Sequence, residues 1–188
     1  YSIITRFSKF FRIRYHPRDI NMKEGQPKTV HLKDYQAPNY LIDETSLHFD
    51  ISSAYTMVTA ELTIRRNLEA SKPNTELVLD GSEMTTRNIW IDGEVLPPSK
   101  YEITKSTLRI FDVPESFVLK TQVEIKPQEN TALEGLYKSG DMYCTQCEAQ
   151  GFRNITWYLD RPDVLSKYRT TIHADKEQFP VLLSNGNE

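Results

Sequence analysis

MVTAELTIRRN, residues 57–67, puts Val58, Ala60, Leu62 and Ile64 on one side of an extended chain and Thr59, Glu61, Thr63 and Arg65 on the other. A period of two is the signature of a strand with one buried and one wet face. The same reading extends to SLHFDI, where Leu47, Phe49 and Ile51 share a face opposite His48 and Asp50. ELVLDG reads as a short strand stopped at Asp80-Gly81. NIWIDGEVL carries Asp92-Gly93 between two apolar runs, a strong signal for a two-residue hairpin. TLRIFDV and SFVLKTQVEI follow across a break at Pro114, and ITWYLD, YRTTIHAD and PVLLSNG are also β-rich. No long 3.6-residue apolar period appears. About nine strands and at most one helical turn are expected, hence an all-β antiparallel sandwich or an open barrel built from hairpins.

The bulk properties agree. The 188 residues are 38% hydrophobic and 26% charged, enough for one domain with a core. A net charge of −3 gives no general case for nucleic acid as a partner. No apolar run approaches the ~20 residues that span a bilayer, so no membrane association is expected. Two cysteines, Cys144 and Cys147, do not make a disulfide framework. A reducing, cytoplasmic location is expected.

Three stretches are expected along the chain. Residues 1–21 are basic and aromatic, with Arg6, Lys9, Arg12, Arg14 and Arg18 among Phe7, Phe10, Phe11 and Tyr15. They read as an extension, non-native or disordered, ahead of a start at Met22. Residues 22–38, with Pro27 and Pro38, read as an extended leader. Residues 39–188 form the sandwich. The closing FPVLLSNGNE reads as a strand and an Asn185-Gly186 turn that should lead into a returning strand, so the chain is expected to be the front part of a longer protein.

The chemistry concentrates in CTQCEAQGFRNITWYLDRPD, residues 144–163. A structural zinc site needs four thiolate or imidazole ligands. Here there is one C-x-x-C pair, and His16, His31, His48 and His173 all lie far from it in sequence. A redox pair would open a helix, and Glu148 beside it disfavours a thiolate. No histidine precedes a glutamate, so H-E-x-x-H is absent, as are G-x-S-x-G and a P-loop. Asp160 and Asp163 flank Arg161-Pro162 and read as a neutralised turn. Gln146, Glu148 and Gln150, if extended, project to one face. By spacing alone, that face is either a solvated strand or the wall of a binding site.

NTALEGLYKSGDMYCTQCEAQGFRNITWYLDRPDV, residues 130–164, resembles the N-terminal domain of the aminopeptidase N family, the zinc-dependent alanyl aminopeptidases of bacteria and malaria parasites. LKDYQAPNY and ADKEQFPVLLSNGN extend the resemblance on both sides, from Thr29 to the end. It implies a saddle-shaped β domain whose partners are peptide substrates and a thermolysin-like catalytic domain. That domain carries the zinc, its ligands and a Gly-Ala-Met-Glu-Asn loop, so no catalytic or metal-binding residue is expected in this chain. The resemblance implies that Glu148 helps bind the substrate α-amino group, that Gln146 lines the pocket for the first side chain, and that the cysteines are bystanders. It further implies a monomer when full-length. The other expected function is a stand-alone β-sandwich module that binds peptides or a protein without catalysis.

Overall fold

The computed structural model describes residues 31–70 and 75–187. Residues 1–21 and most of the expected leader lie outside them. The described end of the leader holds one 3₁₀ turn, Leu32–Asp34. Among its described residues, the body that follows, Gln36–Glu188, is built of β-strands with two short 3₁₀ turns, Pro98–Lys100 and Phe152–Asn154.

β1 (Tyr40–Ile51) and β2 (Thr56–Arg66) form a long hairpin. Its turn is closed by Ser52, whose Oγ donates to the Tyr55 carbonyl at 2.7 Å. β3 (Leu77–Asp80), β6 (Tyr101–Ile103) and β7 (Thr107–Ile110) make a three-stranded sheet in the order β3-β7-β6. β4 (Thr85–Ile91), β5 (Glu94–Val95), β8 (Ser116–Ile125) and β11 (Lys167–Ala174) join the first hairpin in a six-stranded sheet, β11-β1-β2-β8-β4-β5. β9 (Gly135–Ser139) and β10 (Met142–Gln146) stand apart as a two-stranded hairpin.

The alternation read from sequence is the burial pattern of the sheet. Val58, Ala60, Leu62 and Ile64 are wholly buried on β2. Phe117, Leu119, Val123 and Ile125 of β8 lie on the same face and join the same core. Burying each Val, Leu or Ile side chain stabilises the fold by about 1.5–3 kcal/mol. On β1 the buried parity changes, from Tyr40 and Ile42 to Thr45, Leu47 and Phe49. A register shift between Ile42 and Glu44 causes the change, because one extra residue on a strand flips every later side chain. The Asp92-Gly93 hairpin forms as expected, with φ of 51° and 86°.

Three expectations need correction. The large sheet is not purely antiparallel, because β11 pairs with β1 in parallel. A parallel neighbour needs a long crossover, and the β9–β10 hairpin and the segment after it supply one. ITWYLD is not a strand. Ile155–Asp160 is a buried strap whose one ladder contact is an antiparallel bridge between Tyr158 and Asp80, with N···O distances of 2.8 and 3.0 Å. PVLLSNG forms no strand, and Val181, Leu182 and Leu183 are exposed. No described strand lies beside this segment to complete a ladder.

Candidate functional site

β10 runs Met142–Gln146 and ends there. Glu148 lies beyond it, in the turn 148–151. The strand is stopped by a competing local bond: the Gly151 N–H donates to the Cys147 carbonyl at 2.9 Å. Gln146, Glu148 and Gln150 therefore do not share one strand face, which corrects the alternation argument. Gly151 is needed for the reversal. A Cβ there would sit 2.6 Å from the Gln146 oxygen and 2.9 Å from the Cys147 Cα. Its φ of −86° is ordinary, so the demand is for space rather than for conformational freedom.

The turn is exposed at its tip and anchored at its base. Gln146, Glu148 and Gln150 are all exposed. Glu148 makes no hydrogen bond or ion pair to any described residue, so its carboxylate is open to a ligand. Below it, Cys147 packs against the core. Phe152 packs against Tyr158 at a tilt of 56°, with ring centroids 4.5 Å apart, and meets Tyr168 edge to face at 5.8 Å. Tyr168 is half exposed as a residue, but its hydroxyl donates to the Tyr158 hydroxyl at 2.8 Å, and local desolvation together with that bond raises its pKa. Arg153 turns inward. Its Nε donates to Asp160 Oδ2 at 2.8 Å, and its backbone N–H donates to the same oxygen at 3.2 Å. Its carbonyl accepts from the Ser82 N–H at 2.9 Å.

These contacts divide the polar residues of the segment. Arg153 and Asp160 are structural: a half-buried cation neutralises a buried carboxylate. Asp160 is thus paired with Arg153 rather than with Arg161. Arg161 makes a two-pronged pair with Asp163 at 2.7 and 2.8 Å and reaches the Gln36 carbonyl. The neutralised turn is real for Asp163 only. Sequence reasoning missed the Arg153–Asp160 brace. Seven residues of separation in an irregular segment carry no periodic signal that could have found it.

The cysteines have no partner in a bond, and both are free thiols. Burial, and then the Asp160 carboxylate, raise the pKa of Cys147. Cys147 is accordingly a neutral thiol at physiological pH, a poor nucleophile and a poor metal ligand. In a Cys144→Ser variant, which leaves one thiol to read, Cys147 should react with Ellman's reagent at pH 7.5 about 10-fold more slowly than free cysteine. A rate equal to that of free cysteine would show that the thiol is neither protected nor shifted.

Comparison with known proteins shows the family. The profile of the Peptidase M1 N-terminal domain matches residues 33–188. The chain belongs to the Peptidase M1 N-terminal domain family. Aminopeptidase N of Caulobacter vibrioides is 47% identical over 166 residues, which is 88% of this chain and 19% of that protein. The crystal structure of Legionella pneumophila aminopeptidase A in complex with aspartic acid superposes with a TM-score of 0.77 at 36% identity, over 82% of this chain and 18% of that one. An M1 zinc metallopeptidase from Deinococcus radiodurans, bound to a Tyr-Ser-Ala substrate, shares the fold at a TM-score of 0.59 and 14% identity, over 72% of this chain and 33% of that one. This M1 N-terminal domain therefore spans about a fifth of the curated relative it matches. Among its described residues no helix is long and apolar enough to cross a membrane.

Proposed function

We propose that this M1 N-terminal domain forms the front part of a zinc-dependent aminopeptidase, in which Glu148 binds the α-ammonium of a peptide substrate and Gln146 lines the pocket for its first side chain. The observation that carries the reading is the Glu148 carboxylate, presented without a partner among the described residues on a turn whose base is braced by Gly151, Phe152 and Arg153. A rigid support beneath an open charge is what recognition of a small cation requires.

The physics suits an exopeptidase. A carboxylate meeting an ammonium forms a charge-assisted hydrogen bond of about 1.5–3 kcal/mol. An internal peptide offers no cation there, so closing a site over Glu148 would leave a desolvated charge unpaired. In this chain Glu148 is exposed, so the covering surface must come from the catalytic domain. The same division applies to zinc. The H-E-x-x-H ligand motif of the catalytic metal is not in this chain, because no histidine precedes a glutamate, and Cys147 is held as a thiol. The ion and the hydrolytic step therefore belong to the catalytic domain. The full-length enzyme is read as monomeric and cytoplasmic.

The test uses the full product of the gene. It should encode H-E-x-x-H beyond this domain and hydrolyse alanyl and leucyl amides, while the N-acetylated amides, which lack the ammonium, resist cleavage. The 188-residue chain alone should be inactive. A reading frame without that motif would favour a stand-alone binding module, and equal cleavage of free and acetylated substrates would refute amine recognition.

A further inference from the structure

On the polar face of the six-stranded sheet, two strands from opposite ends of the described chain bring three metal-ligating side chains together. His48 and Asp50 are two residues apart on β1, and so project from the same face. In the parallel pairing of β1 with β11, His173 lies directly beside Asp50. His48 Nε2 is 3.3 Å from Asp50 Oδ1, and His173 Nδ1 is 3.5 Å from that same oxygen. The two imidazoles meet edge to face, with centroids 4.6 Å apart. All three donor atoms lie within 4.8 Å of one another, and no other group of this kind assembles among the described residues.

We propose that His48, Asp50 and His173 form a binding site for a divalent transition-metal ion that clips the edge strand β11 to β1. Donor atoms held 2.0–2.1 Å from a tetrahedral ion are separated by about 3.3 Å. Two of the three edges already have that length, and the third closes through small rotations of two imidazoles that solvent leaves free to move. Two neutral imidazoles and one carboxylate are donors of intermediate softness, suited to Cu²⁺, Ni²⁺ and Zn²⁺ rather than to Ca²⁺ or Mg²⁺. The charges around the cluster are uneven. On the Asp50 side, the hollow is lined by Asp50, Tyr55, Met57, His173 and Asp175, with no lysine or arginine. On the His48 side, the neighbouring hollow is lined by Glu61, Lys120 and Arg169, and Lys120 is paired with Glu61 at 2.9 Å. An ion therefore has to sit toward Asp50. Asp175 already accepts from the backbone N–H groups of Glu177 and Gln178 through Oδ1. It adds negative charge without being needed as a ligand. Open positions on the ion are left to water. Because the ligands come from two strands that meet only in the folded sheet, binding and folding are linked.

The experiment is isothermal titration of Ni²⁺ and of Cu²⁺ into the 188-residue chain, with folding of each variant checked by circular dichroism. One ion per chain is expected, bound more tightly for Cu²⁺ than for Ni²⁺. His48→Gln, His173→Gln and Asp50→Asn should each weaken binding by roughly 10-fold or more. Saturating Ni²⁺ should raise the Tm of the wild-type chain by a few degrees and leave that of His173→Gln unchanged. A Cys144→Ser/Cys147→Ser chain and a His16→Gln/His31→Gln chain should both bind as wild type does. Absence of stoichiometric binding would overturn the proposal. So would loss of binding in the cysteine or the His16/His31 variant with retention in the other three.

Discussion

On the proposed function, a Glu148→Gln substitution in the full-length protein is expected to lower kcat/KM for aminoacyl amides by roughly 10- to 150-fold, the equivalent of the ~1.5–3 kcal/mol of a charge-assisted hydrogen bond. Gln keeps the shape of the side chain and can still accept one hydrogen bond. It no longer balances the substrate's positive charge. The structure sharpens this expectation in one respect. Glu148 stands on the turn 148–151 without a described partner, so its replacement removes no interaction that holds the domain together. Tm should stay within about 1 °C of wild type while activity falls. If the ammonium is held equally in the ground and transition states, the loss falls on KM; if it also aligns the scissile carbonyl, kcat drops too. Gln146→Ala, which trims only a pocket wall, should shift the preference among first residues by ~1 kcal/mol and barely affect an alanyl amide. Measuring kcat/KM for both variants on alanyl, leucyl and arginyl amides decides the matter. Wild-type efficiency of Glu148→Gln on all three would return the turn to ordinary solvated surface.

The largest expected effect on stability is that of Gly81→Ala. Gly81 sits at the end of β3, directly against the indole of Trp157 in the buried strap. A Cβ at Gly81 would fall inside the van der Waals envelope of the indole carbons Cε3 and Cζ3. The ring has no room to retreat. Trp157 is 2% exposed, and its Nε1 donates to Thr86 Oγ1 at 2.8 Å. The neighbouring residues are fixed as well, by the paired bonds between Asp80 and Tyr158. Gly81→Ala should therefore destabilise the domain by about 3 kcal/mol, at the upper end of overpacking costs, and lower Tm by roughly 10 °C. In a Trp157→Leu background, which opens space, the same substitution should cost less than ~1 kcal/mol, so the pair is coupled rather than additive. Urea unfolding of the four proteins of this cycle measures the coupling. A Gly81→Ala chain as stable as wild type would mean that the strap does not press on β3.

Much of the fold was legible because strand alternation and hairpin chemistry are properties of neighbouring residues. Val58 through Ile64 on β2 and Phe117 through Ile125 on β8 announce their buried face by spacing. Asp92-Gly93 announces its hairpin because few other residue pairs accept positive φ twice in succession. The 130–164 stretch is specific enough to indicate the family, whereas the roles of Glu148 and Gln146 are implied by that resemblance and not by their spacing. The same local reasoning failed where a nearby bond competes with the strand. Extension through residue 150 is ended by the Gly151–Cys147 bond, which no alternation pattern encodes.

The sequence by itself determined that the domain is built of β-strands, that Asp92-Gly93 turns a hairpin and which side of β2 is buried, because those depend on residues one or two positions apart. Only the tertiary structure decided which distant residues meet. It set β11 parallel to β1, paired Arg153 with Asp160, pressed Gly81 against Trp157 and brought His173 beside Asp50. Each of these contacts follows from how the crossover and the strap pack on the sheets. Packing is settled by the complementarity of whole surfaces, a property that no window of consecutive residues contains.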